Sequence, residues 1–213
     1  PRFVASKGVP RLPDGWVWAS PEQLSTHIVD CLHATPKWTQ GGEVCLRTTN
    51  FKVGGLDLSE IRYVSSETYQ DRISRLEPKP GDVLYSREGG ILGIACIHPK
   101  GLKACLGQRM MQFRLRQELM LPEFFCAVLN SALVLGEVRH FTGGAAAPHL
   151  NIGDIRQFPI PVPPLREQED IVEALGSQTD GRRRLHAAYS DKVRDIDALR
   201  QSLLQEAFAG ELT

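Results

Sequence analysis

The sequence predicts an α+β protein: a mixed α/β head over residues 1–160, followed by one long, coiled-coil-forming α-helix within residues 161–213. Three observations carry this. Up to Pro159, short apolar runs such as GDVLYS, ILGIACIHP and MMQFRL are broken by Gly and Pro, the punctuation of short strands. Helical patches are expected among them near SPEQLSTHIV and LPEFFCAVLNSALVLGEV. No proline follows Pro164, and beyond it the apolar residues recur with a heptad spacing.

The helix is read from its ends and its period. Pro163 and Pro164 stand where a helix tolerates proline, and Gly210 stands where a helix tends to stop. A heptad seam through Gln168, Ile171, Leu175, Gln178, Arg182, Leu185, Tyr189, Lys192, Ile196, Leu199, Leu203 and Glu206 is apolar at seven of those twelve positions. The seven are Ile171, Leu175, Leu185, Tyr189, Ile196, Leu199 and Leu203. Gly176 and Gly181 each cost roughly 1 kcal/mol of helix propensity, so GSQTDG is the weak point. The heptad phase nevertheless continues across it and predicts one helix from Glu167 to Phe208, on the order of 60 Å long. A seam of this period stays on one side of a helix, where a second helix of similar length buries it better than a globule does. The prolines before it fix φ and stiffen the exit.

Composition narrows the class further. With 213 residues, 42% of them apolar, the chain can bury one sizeable core, and it has no apolar run long enough for a membrane span. A soluble, cytoplasmic protein is expected. The opening PRFVASKGVP lacks an initiating Met and the layout of a signal peptide, so a piece of a longer chain is expected. Five cysteines at irregular spacing predict reduced, mostly buried thiols. The formal charge of zero argues against indiscriminate coating of nucleic acid. Charge is uneven, however: Pro99–Gln117 carries Lys100, Lys103, Arg109, Arg114 and Arg116 with no acid, whereas residues from Pro161 onward are net acidic. Any basic surface is therefore expected on the head.

Enzyme-like patterns are weak. Cys31 with His33 and Cys96 with His98 share CxH spacing, but zinc pairs usually lie farther apart on loops, and ILGIACIH reads as a buried strand. Asp57 with Glu77-Pro78-Lys79 mimics a nuclease set, yet Pro78 and Pro80 make that segment a turn. TGGAAAP lacks the Lys-Ser/Thr of a phosphate loop and is expected to be a surface loop, GGILG is not a dinucleotide fingerprint, and no GxSxG elbow is present. No glycine motif for S-adenosylmethionine (SAM) and no methyltransferase Asn-Pro-Pro-aromatic motif occurs either. No catalytic residue and no metal site is assigned.

Five segments, in order, carry a family resemblance: LPDGW; ATPKWTQGGEVCLRTTNFKVGGLDLS; PKPGDVLYSREGGILG; APHLNIGDIRQFPIPVPP, continuing into PPLREQEDIVEAL; and the closing LRQSLLQEAFAGELT. Together they resemble the DNA specificity (S) subunits of type I restriction-modification systems. The resemblance spans nearly the whole chain and matches one target recognition domain (residues 1–160) plus one conserved-region helix (residues 161–213). It implies either half of such a subunit, the C-terminal half by its ending, or a short version that pairs with another copy. The implied role is non-catalytic: reading one half of a bipartite site in double-stranded DNA and positioning methyltransferase (M) subunits and, indirectly, the restriction (R) subunit. No cofactor is expected on this chain, with SAM and ATP held by the partner subunits. A second recognition half or a homodimer is expected through the helix.

Base reading requires polar side chains that reach base edges, within a wider ring of phosphate contacts. The candidate stretches are HATPKWTQGG, RTTNFK, YSREGG, GQRMM and TGGAAAPHLN. From them the DNA-binding set is Thr48, Thr49, Asn50, Lys52, Ser86, Arg87, Glu88, Gln108, Arg109 and His149. YSREGG is the leading stretch because its glycines permit close backbone approach past a predicted strand. Lys100 and Lys103 suit phosphate contacts. Each of these residues has a plainer reading as a solvated loop side chain. The alternative for the whole chain is a non-catalytic protein-interaction module that organises a partner assembly through its long helix.

Overall fold

The computed structural model describes residues 10–89, 91–142 and 149–209. In chain order the elements are β1 (Val17–Ala19), α1 (Pro21–Leu24), β2 (Ser25–Asp30), β3 (Trp38–Thr39), β4 (Glu43–Leu46), a 3-10 turn (Thr48–Asn50), β5 (Phe51–Lys52), β6 (Gly55–Leu56) and β7 (Arg62–Val64). There follow α2 (Ser66–Ile73), β8 (Val83–Ser86), β9 (Ala95–Ile97), β10 (Ala104–Leu106), β11 (Met110–Leu115), α3 (Pro122–Leu129), α4 (Ala132–Thr142), α5 (Ile152–Ile155), β12 (Ile160–Val162) and α6 (Leu165–Ala209). The chain divides after Glu169 into two units.

The first unit holds two four-stranded sheets. One is antiparallel in the order β2-β11-β8-β9; the other runs β10-β4-β7-β3 with β10 and β4 parallel. The expected strands GDVLYS, IACIH and MMQFRL are β8, β9 and β11. Every residue of β8 is buried, which is why its sequence is a continuous apolar run rather than an alternating one. Tyr85, Phe113, Phe125 and Phe158 pack edge-to-face with ring centroids 5.3 to 6.5 Å apart. All five cysteines are free and buried, as the sequence predicts, and burial pushes the Cys31, Cys96 and Cys126 thiols up.

One local expectation needs correction, and two helical details go beyond what the sequence predicts. SPEQLSTHIV is helical only at Pro21–Leu24, where Gln23 accepts from the Ser20 amide; Ser25–Asp30 is a strand. Its β-branched Ile28 and Val29 stand opposite Phe113 and Gln112 of β11, and that tertiary pairing outweighs the helical pattern. The patch after Leu121 is two helices. Asn130 separates them by donating to the Cys126 and Ala95 carbonyls and accepting from the Ala95 amide, so the first helix ends pinned to β9. Helix α2 was not anticipated: Ser65 caps it by accepting from the Thr68 amide, but its buried face combines Tyr69 with Arg72, which hides the apolar period.

The basic run does not form one patch. Lys103 pairs with Glu43 at 2.8 Å, and Arg114 grips buried Asp82 through Nε at 2.9 Å and Nη2 at 2.8 Å. Arg109 and Arg116 flank opposite ends of the six-residue β11, roughly 20 Å apart at about 3.3 Å per residue.

The helix is continuous through Gly176 and Gly181, and its 45 residues reach about 68 Å at about 1.5 Å per residue. At its root, within the first unit, Gln168 is fully buried: it accepts from the Leu121 amide and donates to the Leu119 and Pro163 carbonyls. Trp16 Nε1 donates to Glu167 at 2.8 Å, tying the same turn to the strand-pair region where β1 meets β12. In the second unit Leu175, Leu185, Tyr189, Ile196, Leu199 and Leu203 are exposed, and Ile171 is half-buried. Among the described residues no helix is long and apolar enough to cross a membrane.

Candidate nucleic-acid interface

Four loops leave the strand ends near one another: 31–37 after β2, 47–50 after β4, 87–89 after β8, and 107–109 between β10 and β11. The parallel pairing of β10 with β4, with Cys105 opposite Cys45, brings 107–109 beside 47–50 despite their separation in sequence. Gly107 sits at the closest approach. Its amide donates to Leu46 O at 2.9 Å, and a Cβ there would lie 2.8 Å from that oxygen, so only glycine fits without a backbone shift.

Arg72, buried on α2, ties loop 31–37 to loop 107–109. Its Nη1 donates to Leu32 O and Gly107 O, both at 2.9 Å, and its Nη2 donates to Ala34 O. Thr35 donates to Gln108 Oε1 at 3.2 Å, and the Arg87 amide donates to Arg109 O at 3.0 Å. Arg109 thus has its backbone fixed on both sides, and it adopts φ 69°, the one positive-φ non-glycine residue among those described. For a residue with a Cβ that conformation costs about 1–2 kcal/mol.

Four of the sequence-predicted residues converge. Thr48, Thr49, Gln108 and Arg109 line one groove of about 150 Å³ with Trp38, Arg47 and Gly107. Thr49 also borders a second groove of about 230 Å³ with Asn50, Lys52, Asp57, Ser59 and Glu60. Lys52 lies 3.7 Å from Asp57 and remains mostly exposed. The Ser59 hydroxyl and amide hold the Asp57 carboxyl below its usual range.

Asn50, Ser86 and Arg87 are placed differently. Asn50 is buried, donating to Asp57 O and Glu60 O and accepting from the Arg47 amide, so it closes the 47–60 loop. The Ser86 hydroxyl accepts from the Ile94 amide and donates to its carbonyl. Arg87 is 5% exposed; its Nη1 donates to Leu150 O at 3.1 Å, and its Nη2 donates to His33 Nε2 at 3.0 Å and meets Glu88 at 2.7 Å. Glu88 pairs through its backbone with His149, which is exposed. His33 stands between Asp30 at 3.4 Å and Glu88 at 3.7 Å. Residues 143–148 of TGGAAAPHLN lie outside the described residues.

Sequence reasoning missed Arg72 and Arg62. The Arg62 guanidinium lies 5.3 Å over the Trp38 ring at the edge of the groove. Neither carries a sequence signal, since a buried arginine on a helix and an exposed one on a strand look alike in a string of letters. Cys96 and His98 lie buried on and beside β9, and no group of three or more His, Cys, Asp or Glu arranged for a metal occurs among the described residues. Asp57 and Glu77 serve separate partners, Ser59 and the Tyr69 hydroxyl.

The family model described as type I restriction modification DNA specificity domain matches residues 42–193. The chain belongs to this DNA specificity family. Both groove loops, 47–50 and 107–109, fall inside the match. Among relatives of this specificity domain, the type I restriction enzyme EcoKI specificity subunit of Escherichia coli (strain K12) is 24% identical over 198 residues, which are 90% of this chain and 42% of that protein. The EcoBI specificity subunit of Escherichia coli is 23% identical over 171 residues, 79% of this chain and 35% of that protein. In fold, the chain is similar to the HsdS subunit from Thermoanaerobacter tengcongensis, with a TM-score of 0.68 at 20% identity over 94% of this chain and 51% of that one. The chain therefore spans about half or less of the length of these relatives.

Proposed function

We propose that this specificity domain is a non-catalytic, sequence-reading module that engages one half of a bipartite site in double-stranded DNA for a type I restriction-modification complex. The observation that carries the reading is the convergence of Thr48, Thr49, Gln108 and Arg109 on one groove, in a chain of the DNA specificity family. Hydroxyl, amide and guanidinium groups are the donors and acceptors that discriminate base edges. Exposed Lys37, Lys52 and Arg62 around the groove suit phosphate contacts, which position without specifying. Asn50, Ser86 and Arg87 act by shaping the loops, and Glu88 and His149 form the rim at the neighbouring loop.

Residues 1–160 then form the target recognition domain and residues 161–213 the spacer helix. The spacer pairs as a coiled coil with a second helix, from another recognition half or a second copy, along Ile171, Leu175, Leu185, Tyr189, Ile196, Leu199 and Leu203. Methyltransferase subunits dock on this assembly, the restriction subunit joins indirectly, and SAM and ATP belong to those partners. Titration of the full chain with random-sequence duplex DNA at rising salt tests the reading. Affinity that falls steeply with ionic strength is expected from phosphate contacts. Absence of any salt-dependent binding favours a purely protein-organising module.

A further inference from the structure

We propose that Arg109 is the principal specificity-determining residue of the groove and that it reads a guanine; this rests on the DNA-reading role above. Three features set it apart from the other arginines of these loops. First, Arg109 is exposed, and its guanidinium has no hydrogen bond or ion pair among the described residues. Arg87 donates to Leu150 and His33, Arg47 Nη2 donates to Glu60 O at 3.0 Å, and Arg72 is buried beneath the loops. Arg109 alone keeps the two parallel N–H donors that match guanine O6 and N7.

Second, its backbone is held at φ 69°, a conformation that glycine adopts without strain. The conformation is imposed by its neighbours. Gly107 is wedged against Leu46 O and Arg72, Met110 is fully buried with its amide donating to Cys31 Sγ at 3.2 Å, and the Arg109 carbonyl accepts from the Arg87 amide. A strained residue where a glycine would be at ease marks a side chain present for its chemistry.

Third, the side chain is aimed. It lies across Gly89, where a Cβ would stand 3.2 Å from Arg109 Nη1 and 3.6 Å from its Cδ. Gly89 itself has φ 87°, so the 87–89 loop presents a bare backbone floor along which the arginine extends. Gln108, half-buried and held by Thr35, supplies the adjacent amide. The pair therefore forms a short reading edge at the mouth of the groove, backed by a loop anchored through Arg87.

The substitution Arg109→Gly separates reading from folding because it removes the side chain and relieves the strain together. The experiment selects bound molecules from a pool of randomised duplexes, using the full chain and its Arg109→Gly and Arg109→Lys variants, with thermal melting of each protein. The parent is expected to enrich a sequence containing a guanine at one position. Both variants are expected to lose preference for that guanine by about 5- to 150-fold while keeping the rest of the sequence. The thermal midpoint of Arg109→Gly is expected to be unchanged or raised. An Arg109→Gly protein that enriches the parental sequence with undiminished guanine preference overturns the assignment alone, as does loss of every position at once, which would make Arg109 a loop-shaping residue. A parent that enriches no sequence overturns the DNA-reading role and the assignment with it.

Discussion

Replacing Arg72 with Met tests whether loops 31–37 and 107–109 are held together by one buried cation. Arg72 is 8% exposed, and no carboxylate pairs with it among the described residues; its charge is met by the carbonyls of Leu32, Ala34 and Gly107. Ala34 is exposed, so water replaces the lost donor there, whereas the Leu32 and Gly107 carbonyls remain at least partly buried. Two charge-assisted hydrogen bonds contribute about 3–6 kcal/mol before any offset. Removing a buried charge without a counter-ion recovers part of that as relieved desolvation, leaving a net loss of about 2–4 kcal/mol. At a urea dependence of about 2 kcal/mol/M, the unfolding midpoint should drop by about 1–2 M. Urea titration of the full chain followed by tryptophan fluorescence reads this directly, and Arg72→Lys should fall between parent and Met variant. A midpoint within about 0.3 M of the parent for Arg72→Met would show that desolvation cancels the three hydrogen bonds and that the clamp contributes nothing net.

Two further outcomes are expected. His98 is 1% exposed, and burial lowers its pKa below the ordinary 6.5 against the weaker opposing pulls of the Pro99 backbone and Asp82. The unfolded chain therefore gains a proton where the folded chain does not; stability present above about pH 6.5 is lost as pH falls through the folded value. Urea midpoints should decline from about pH 7 to about pH 5, with a shallower decline in His98→Leu, and equal slopes would remove His98 from the account. Sedimentation of the full chain at tens of micromolar should show a dimer through the exposed helix seam, abolished by Leu185→Asp with Ile196→Asp. A parent that sediments only as a monomer would contradict self-pairing of that seam.

Much of the head was legible because largely buried strands are written as mostly apolar runs: β8, β9 and β11 each stand out in the sequence. β2 was not, because Ile28 and Val29 become a strand only by pairing with β11. The helix after Pro164 was legible from end to end, since a heptad phase that survives two glycines leaves few alternatives. At the candidate site, residue types were readable and their placement was not. Asn50, Ser86 and Arg87 look in sequence like Thr49 and Arg109, yet backbone carbonyls, that of distant Leu150 for Arg87, draw the first three inward. The meeting of loops 47–50 and 107–109 depends on a parallel pairing, which has no local sequence signal.

The way these loops are fastened leaves few of their side chains free to read anything. Each loop begins at the end of a buried strand, and each is fastened within two or three residues: 47–50 by the Asn50 amide, 87–89 by Arg87 and its contacts, 107–109 by Gly107 and Arg72. Fastening consumes most of the polar groups that loops of this length contain. Thr48, Thr49, Gln108 and Arg109 remain on the groove side of those anchors. Changes confined to these four should alter what the groove recognises without disturbing the head. Changes at Gly107, Asn50 or Arg72 should disturb the head first and recognition only as a consequence.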